Sequence, residues 1–188
     1  MFGCIAKETA SSMRSFEKID FLDDDLPDAL GKIADYEELA AEYSLAFVAL
    51  ESPDERLKYI RKLQEAGYAI ISLVSPKAYI APSAQIMQGC IVEPMAVVHS
   101  GCVLNTGCRI SAGAVINTSS MCCDGAHIDC NATVVGNTLV PAGYKICSGE
   151  IYKNESLRMG DLFFDPESWE QRLAEIAKEK PHEYCFED

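Results

Sequence analysis

The chain has 188 residues, 48% of them hydrophobic, and a formal net charge of −13 from 16 basic and 29 acidic side chains. Such apolar content supports one core, or a core with a small appended unit, and excludes a disordered chain. The negative charge repels phosphate backbones and anionic headgroups, no apolar run nears the roughly 20 residues of a membrane span, and residues 1–10 lack a signal-peptide pattern, so the chain reads as cytoplasmic, partnering neither nucleic acid nor membrane.

Charge divides the chain into three zones. Residues 1–78 carry nine basic and fifteen acidic groups, residues 79–153 three and four, and residues 154–188 four and ten. The first zone reads as an α/β domain over residues 1–78. Residues 7–15 suit a helix, residues 17–22 alternate like a strand that ends at Asp23-Asp24-Asp25, and residues 36–43 suit a second helix. Residues 45–50 form a second strand pattern, residues 53–66 a helix capped by Ser52 and closed by Gly67, and residues 68–74 a third strand. Helices alternating with strands predict a parallel sheet, in which ligands sit beyond the carboxyl ends of the strands, where the acidic triplet lies.

Residues 79–152 hold an internal repeat. Aliphatic or comparable anchors recur every six residues from Ile80 and Ile86 through Val98, Ile116 and Val134 to Ile146 and Tyr152, and Cys122 fills one anchor place. Four residues after most anchors comes a small side chain such as Ala96, Cys102 or Ala114, and one place before it stands Gly or Asn, types that tolerate positive φ. A period of six fits neither an α-helix nor a hairpin meander. It fits a short strand plus a corner, with three hexads closing one triangular coil, so that Cys90 stacks over Cys108 and Val98 over Ile116. Cys90, Cys102 and Cys108 then fill corners as compact hydrophobes, Cys123 and Cys130 point outward, and all nine cysteines read as reduced thiols.

Residues 153–188 form an extension in which Asp165, Pro166 and the apolar spacing of Trp169, Leu173 and Ile176 predict one amphipathic helix, docked on the open end of the coils or on another subunit.

The order of parts, with Phe21-Leu22-Asp23-Asp24 in the first domain, Ile80-Ala81-Pro82-Ser83-Ala84 opening the repeat and Asn117-Thr118-Ser119-Ser120 within it, resembles the sugar O- and N-acetyltransferases of sialic acid and bacillosamine synthesis, the NeuD/PglD-like family of hexapeptide-repeat acyltransferases. The resemblance implies a half-Rossmann-like lobe followed by a left-handed parallel β-helix. It also implies acetyl-CoA as co-substrate, a nucleotide-linked or free sugar as acceptor, and a homotrimer with sites between subunits. Flat outward faces carrying Val97, Val103 and Val115 fit threefold packing. Asp23 and Asp24 match the acidic pair that contacts the nucleotide, and Gly3 matches what remains of a Gly-rich phosphate loop whose leading strand is missing.

Two further departures touch the chemistry. The family histidine aligns with Asp124, and an unshifted carboxylate is a weaker base than an imidazole. About five hexads follow position 124, which shortens the groove for the acetyl-CoA arm. His127, one place before anchor Ile128, faces outward and can approach a neighbouring subunit, while His99, after anchor Val98, faces outward and stacks under Asn117 one coil on. The expected activity is therefore acetyl-CoA-dependent sugar acetylation with Asp124 or His127 as general base. The alternative is a catalytically inactive trimeric module for binding or assembly.

Overall fold

Each hexad spends two residues on a strand and four on a corner, and that division builds a triangular prism. The computed structural model describes residues 2–154, so the helix expected at 165–176 lies outside the described residues. One face of the prism stacks β3 (Leu73–Val74), β6 (Ile91–Val92), β9 (Arg109–Ile110), β12 (His127–Ile128) and β15 (Lys145–Ile146). The second stacks β4 (Tyr79–Ile80), β7 (Val97–Val98), β10 (Val115–Ile116), β13 (Thr133–Val134) and β16 (Ile151–Tyr152). The third stacks β5 (Gln85–Ile86), β8 (Val103–Leu104), β11 (Met121–Cys122) and β14 (Leu139–Val140).

Every pair is parallel, and partners lie eighteen residues apart, as in Ile116 against Val98 and Val134. Because successive strand residues point to opposite sides, the second residue of each strand faces the interior. The ten anchors from Val92 to Ile146 are 0% exposed, and each aliphatic one contributes about 1.5–3 kcal/mol of burial. The expected prism and its stacking are therefore observed.

The corners are tighter than their composition shows. From Gly89 to Gly149, one residue in six has φ between +57° and +71°. Two of these, Met95 and Ser119, are neither Gly nor Asn and were not foreseen. The corner cysteines do more than fill space. The thiols of Cys90, Cys102 and Cys108 donate to the carbonyls of Asn105, Asn117 and Cys123, fifteen residues ahead, at 2.9, 3.1 and 3.1 Å. Ser120 makes the same bond to Val135 at 3.0 Å. Among the described residues seven cysteines are free, as expected, whereas Cys147 is disulfide-bonded, against the expectation that all nine are reduced.

The first lobe follows its sequence signals unevenly. Helix α1 spans Phe2–Met13, a short 3₁₀ turn at Ile33–Asp35 leads into α2 (Tyr36–Leu39), and α3 spans Pro53–Glu65. Ser52 caps α3 by accepting the Glu55 N–H at 3.4 Å, and Pro53 occupies the first helical position. β1 (Leu45–Ala46) and β2 (Ala69–Ile70) pair in parallel. The expected strand at 17–22 is reduced to a bridge between Leu22 and Gly31, because Lys18 and Asp20 are tied to Tyr43 and each other. The expected strand at 68–74 divides: Ala69–Ile70 stays with the lobe, and Leu73–Val74 joins the prism through β6.

Two helices fix the lobe to the prism. Phe2, Ala6 and Ala10 of α1 are buried with Leu73 and Ile91, which point outward from the first face. Helix α3 runs along one corner column. Ile60 meets Gly89 and Gly107, Leu57 meets Gly107 and Gly125, and Pro53 meets Gly125 and Gly143. A helix turn of about 5.4 Å nearly matches the strand spacing of about 4.8 Å, so successive turns of α3 meet successive coils. Between them Arg56, 2% exposed, donates to the carbonyls of Gly107 at 2.9 Å, Gly125 at 3.1 Å, Leu50 at 2.7 Å and Glu51 at 3.2 Å. Burial lowers its pKa, and the four carbonyls satisfy the guanidinium in place of an acid.

Candidate functional site

The outward positions of the first face change character down the prism. Leu73 and Ile91 lie under α1, and the register then sets Arg109, His127 and Lys145 in one row. Two residues on from these row positions stand Glu93, Ser111 and Asp129. Arg109 bonds Glu51 at 2.9 Å and Glu93 at 3.4 Å and lies 4.3 Å from the centre of the Phe2 ring. Glu93, 5% exposed, also accepts the Ala112 N–H at 3.2 Å. The upper row is thus locked to the lobe by charge and ring contacts.

His127 occupies the middle. Its Nε2 lies 3.1 Å from Ser111 Oγ and 3.9 Å from Asp129 Oδ1, and Asp129 reaches Lys145 at 3.5 Å. Burial, then the Arg109 charge, pushes His127 down to about 3, against the opposing pull of Asp129. The ring is neutral at working pH. Burial acts to raise Asp129, but the Cys130 N–H and the cations beside it hold the carboxyl below its ordinary value. The trio has the residue types of a nucleophilic triad without its geometry. Both partners approach the same ring nitrogen, whereas a relay needs one on each, and Ser111 is 0% exposed.

Asp124 sits on the corner before β12 and is exposed. Its Oδ1 accepts the Thr106 N–H at 3.0 Å, one coil back, and its carbonyl accepts the Gly143 N–H at 2.8 Å. No hydrogen bond joins Asp124 to His127 among the described residues. Gly3 lies inside α1 rather than in a loop, with nothing within 4 Å of the place a Cβ would take. Asp23 Oδ1 accepts the N–H groups of Asp25 and Leu26 at 2.9 and 3.0 Å, and Asp24 Oδ1 accepts that of Ile33 at 3.0 Å. Both carboxylates therefore close their own loop. Burial pushes Cys123 up to about 11, which removes thiolate chemistry from that outward cysteine. His99 sits outward beside β7 on the second face, its N–H bonded to Ile116 O at 3.0 Å. Ser111, Arg109 and Asp129 are absent from the sequence reading because the outward positions of the first face were not aligned with one another from coil to coil. The same eighteen-residue arithmetic applied outward brings them to His127.

No family model and no curated protein matches the chain. Solved structures do. The acetyltransferase domain of PglB from Neisseria gonorrhoeae FA1090, in complex with acetyl coenzyme A, is 27% identical with a TM-score of 0.76, over 79% of this chain and 75% of that one. A second structure of that domain gives 26% identity and a TM-score of 0.73, over 79% and 76% of the two chains. PerB from Caulobacter crescentus, in complex with CoA and GDP-perosamine, agrees in fold, with 17% identity and a TM-score of 0.55 over 79% and 86%. Among the described residues fourteen strands stack on three faces, and the chain shares the hexapeptide-repeat β-helix fold of these acetyltransferases, with its likeness to the gonococcal domain extending to 27% identity.

Proposed function

We propose that the protein transfers an acetyl group from acetyl-CoA to an amine or hydroxyl of a sugar, with Asp124 accepting the proton of the attacking group. The observation that carries this reading is the 27% identity, over 79% of the chain, to an acetyltransferase domain that holds acetyl-CoA. Asp124 is the exposed acid at the position that the family resemblance assigns to the base. The acceptor attacks the thioester carbonyl directly, the amine or hydroxyl proton passes to the carboxylate, and CoA leaves as the thiol. His127 contributes as a neutral group, since a ring held near 3 takes a proton no more readily than a carboxylate does. The working form is a homotrimer in the cytoplasm, with second and third faces carrying Val97, Val103 and Val115 packed between subunits and the site completed there.

The acceptor class includes free and nucleotide-linked sugars. In the nucleotide-linked case Gly3, Asp23 and Asp24 would contact the nucleotide, and the two carboxylates would have to exchange their loop bonds for it. The inactive trimeric module is the second reading, and the Asp124–Thr106 bond favours it, because a corner cap accounts for the carboxylate without chemistry.

Thiol release from acetyl-CoA, measured across free amino sugars and UDP-linked amino sugars, tests the activity. Turnover with one acceptor class that falls at least 100-fold in Asp124→Asn supports it. Calorimetric binding of acetyl-CoA without turnover leaves the module, and absence of both overturns the acetyltransferase reading.

A further inference from the structure

We propose that Ser111 is a positioning residue that fixes the His127 ring with its proton on Nδ1, presenting that N–H outward as a hydrogen-bond donor to a substrate oxygen. This role rests on the acetyl-transfer reading, while the tautomer itself does not. The argument begins with the serine. Ser111 is 0% exposed, and its hydroxyl hydrogen needs an acceptor. Among the described residues its hydroxyl has one partner, His127 Nε2 at 3.1 Å, so Nε2 must accept and cannot carry the proton. Asp129 Oδ1, at 3.9 Å from the same nitrogen, is too distant to compete as a hydrogen-bond acceptor.

The charges around the ring agree. Strand register puts Arg109 and Lys145 on either side of His127, and Arg56 adds a third cation. The acid facing the ring is Asp129, which is shared with Lys145, while Glu93 and Glu51 are paired with Arg109. A second proton on the ring is therefore opposed from both neighbouring strands. Nδ1 has no partner among the described residues, yet no buried side-chain nitrogen or oxygen is left unsatisfied, so Nδ1 reaches the surface. A neutral ring whose outward atom is an N–H can hold a carbonyl or hydroxyl oxygen of the bound acceptor or thioester without adding charge to the site.

The test uses ring ¹⁵N–¹H correlation spectra of the full chain. It has three histidines, and His127→Asn assigns the signal. The wild type should show a neutral Nδ1–H ring that does not titrate between pH 8 and pH 5. Ser111→Ala should return the proton to Nε2, the nitrogen an isolated imidazole prefers and the one nearer Asp129, and Ser111→Thr should restore Nδ1–H. Asp129→Asn should leave the tautomer as it is. An Nε2–H ring or an imidazolium in the wild type at pH 7 overturns the proposal, and so does a tautomer that follows Asp129 instead of Ser111. If the wild type is active, Ser111→Ala should lower kcat about ten-fold or more with little change in KM. Loss confined to KM removes the donor role. A wild type without turnover removes the preceding functional reading and leaves the tautomer result standing.

Discussion

Alanine at Gly125 should cost far more than alanine at Gly143, although the two glycines share one corner column and nearly one backbone conformation. Their φ values are +71° and +65°, so an added Cβ incurs about 1 kcal/mol of left-handed strain at either place. The surroundings differ. At Gly125 the Cβ would lie 3.0 Å from Pro53 Cβ and 3.4 Å from Leu57 Cδ1, whereas at Gly143 its nearest neighbour is Pro53 Cβ at 3.8 Å, an ordinary contact. Pro53 is rigid and sits on the first turn of α3, so relief at Gly125 requires the helix to move. Overpacking of this kind costs about 1–3 kcal/mol. The expected losses are about 1 kcal/mol for Gly143→Ala and about 2–4 kcal/mol for Gly125→Ala.

Urea unfolding followed by far-ultraviolet circular dichroism reads the difference as a shift in midpoint at constant slope. Adding Pro53→Gly, which removes the clashing Cβ, should recover most of the excess in the Gly125 variant and little in the Gly143 variant, giving a coupling specific to one pair. Equal losses at the two glycines would refute the seating of α3 on this column.

Replacing Arg56 by Met strands the Gly107 and Gly125 carbonyls and should cost about 2–4 kcal/mol, with faster amide exchange through α3. An unchanged melting temperature would show that the guanidinium does not fasten the lobe. Met95, 69% exposed with φ +64°, has little packing to lose, so Met95→Gly should stabilise the isolated chain by about 1 kcal/mol; a lower urea midpoint contradicts this. His127 also makes stability depend on pH. Its folded pKa of about 3 lies below the ordinary 6.5, so the unfolded chain binds the proton first as pH falls. Its contribution is complete above pH 6.5 and is lost between 6.5 and 3. His127→Asn should flatten the stability profile in that window by up to about 5 kcal/mol, and parallel profiles for the two proteins would show that the ring is not held neutral.

The prism was legible because its period depends only on which residues face inward, and each anchor repeats the same local demand. Helix α3 was legible for a similar reason, since Ser52, Pro53 and Gly67 mark its ends by local chemistry. Residues 17–22 misled because alternation describes a strand only when a neighbour is there to bond it, and no local pattern supplies that neighbour. Met95 and Ser119 were missed because position, not residue type, forces their corner conformation. The row at His127 needed one further step. Its members come from three coils, and Glu51 and Phe2 come from the lobe, so no contiguous motif contains them.

The column of glycines beneath α3, at 89, 107, 125 and 143, restricts how such a chain can change length. Duplicating one hexad within the repeat would leave every anchor inside, yet it would rotate all later residues by a third of a revolution. Arg109 and His127 would part company if the duplication fell between them, and α3 would face the wrong corner. Adding a whole coil of eighteen residues would keep both alignments. Insertions into this protein should therefore be tolerated in threefold steps of the hexad, or as loops thrown out at corners that α3 does not cover.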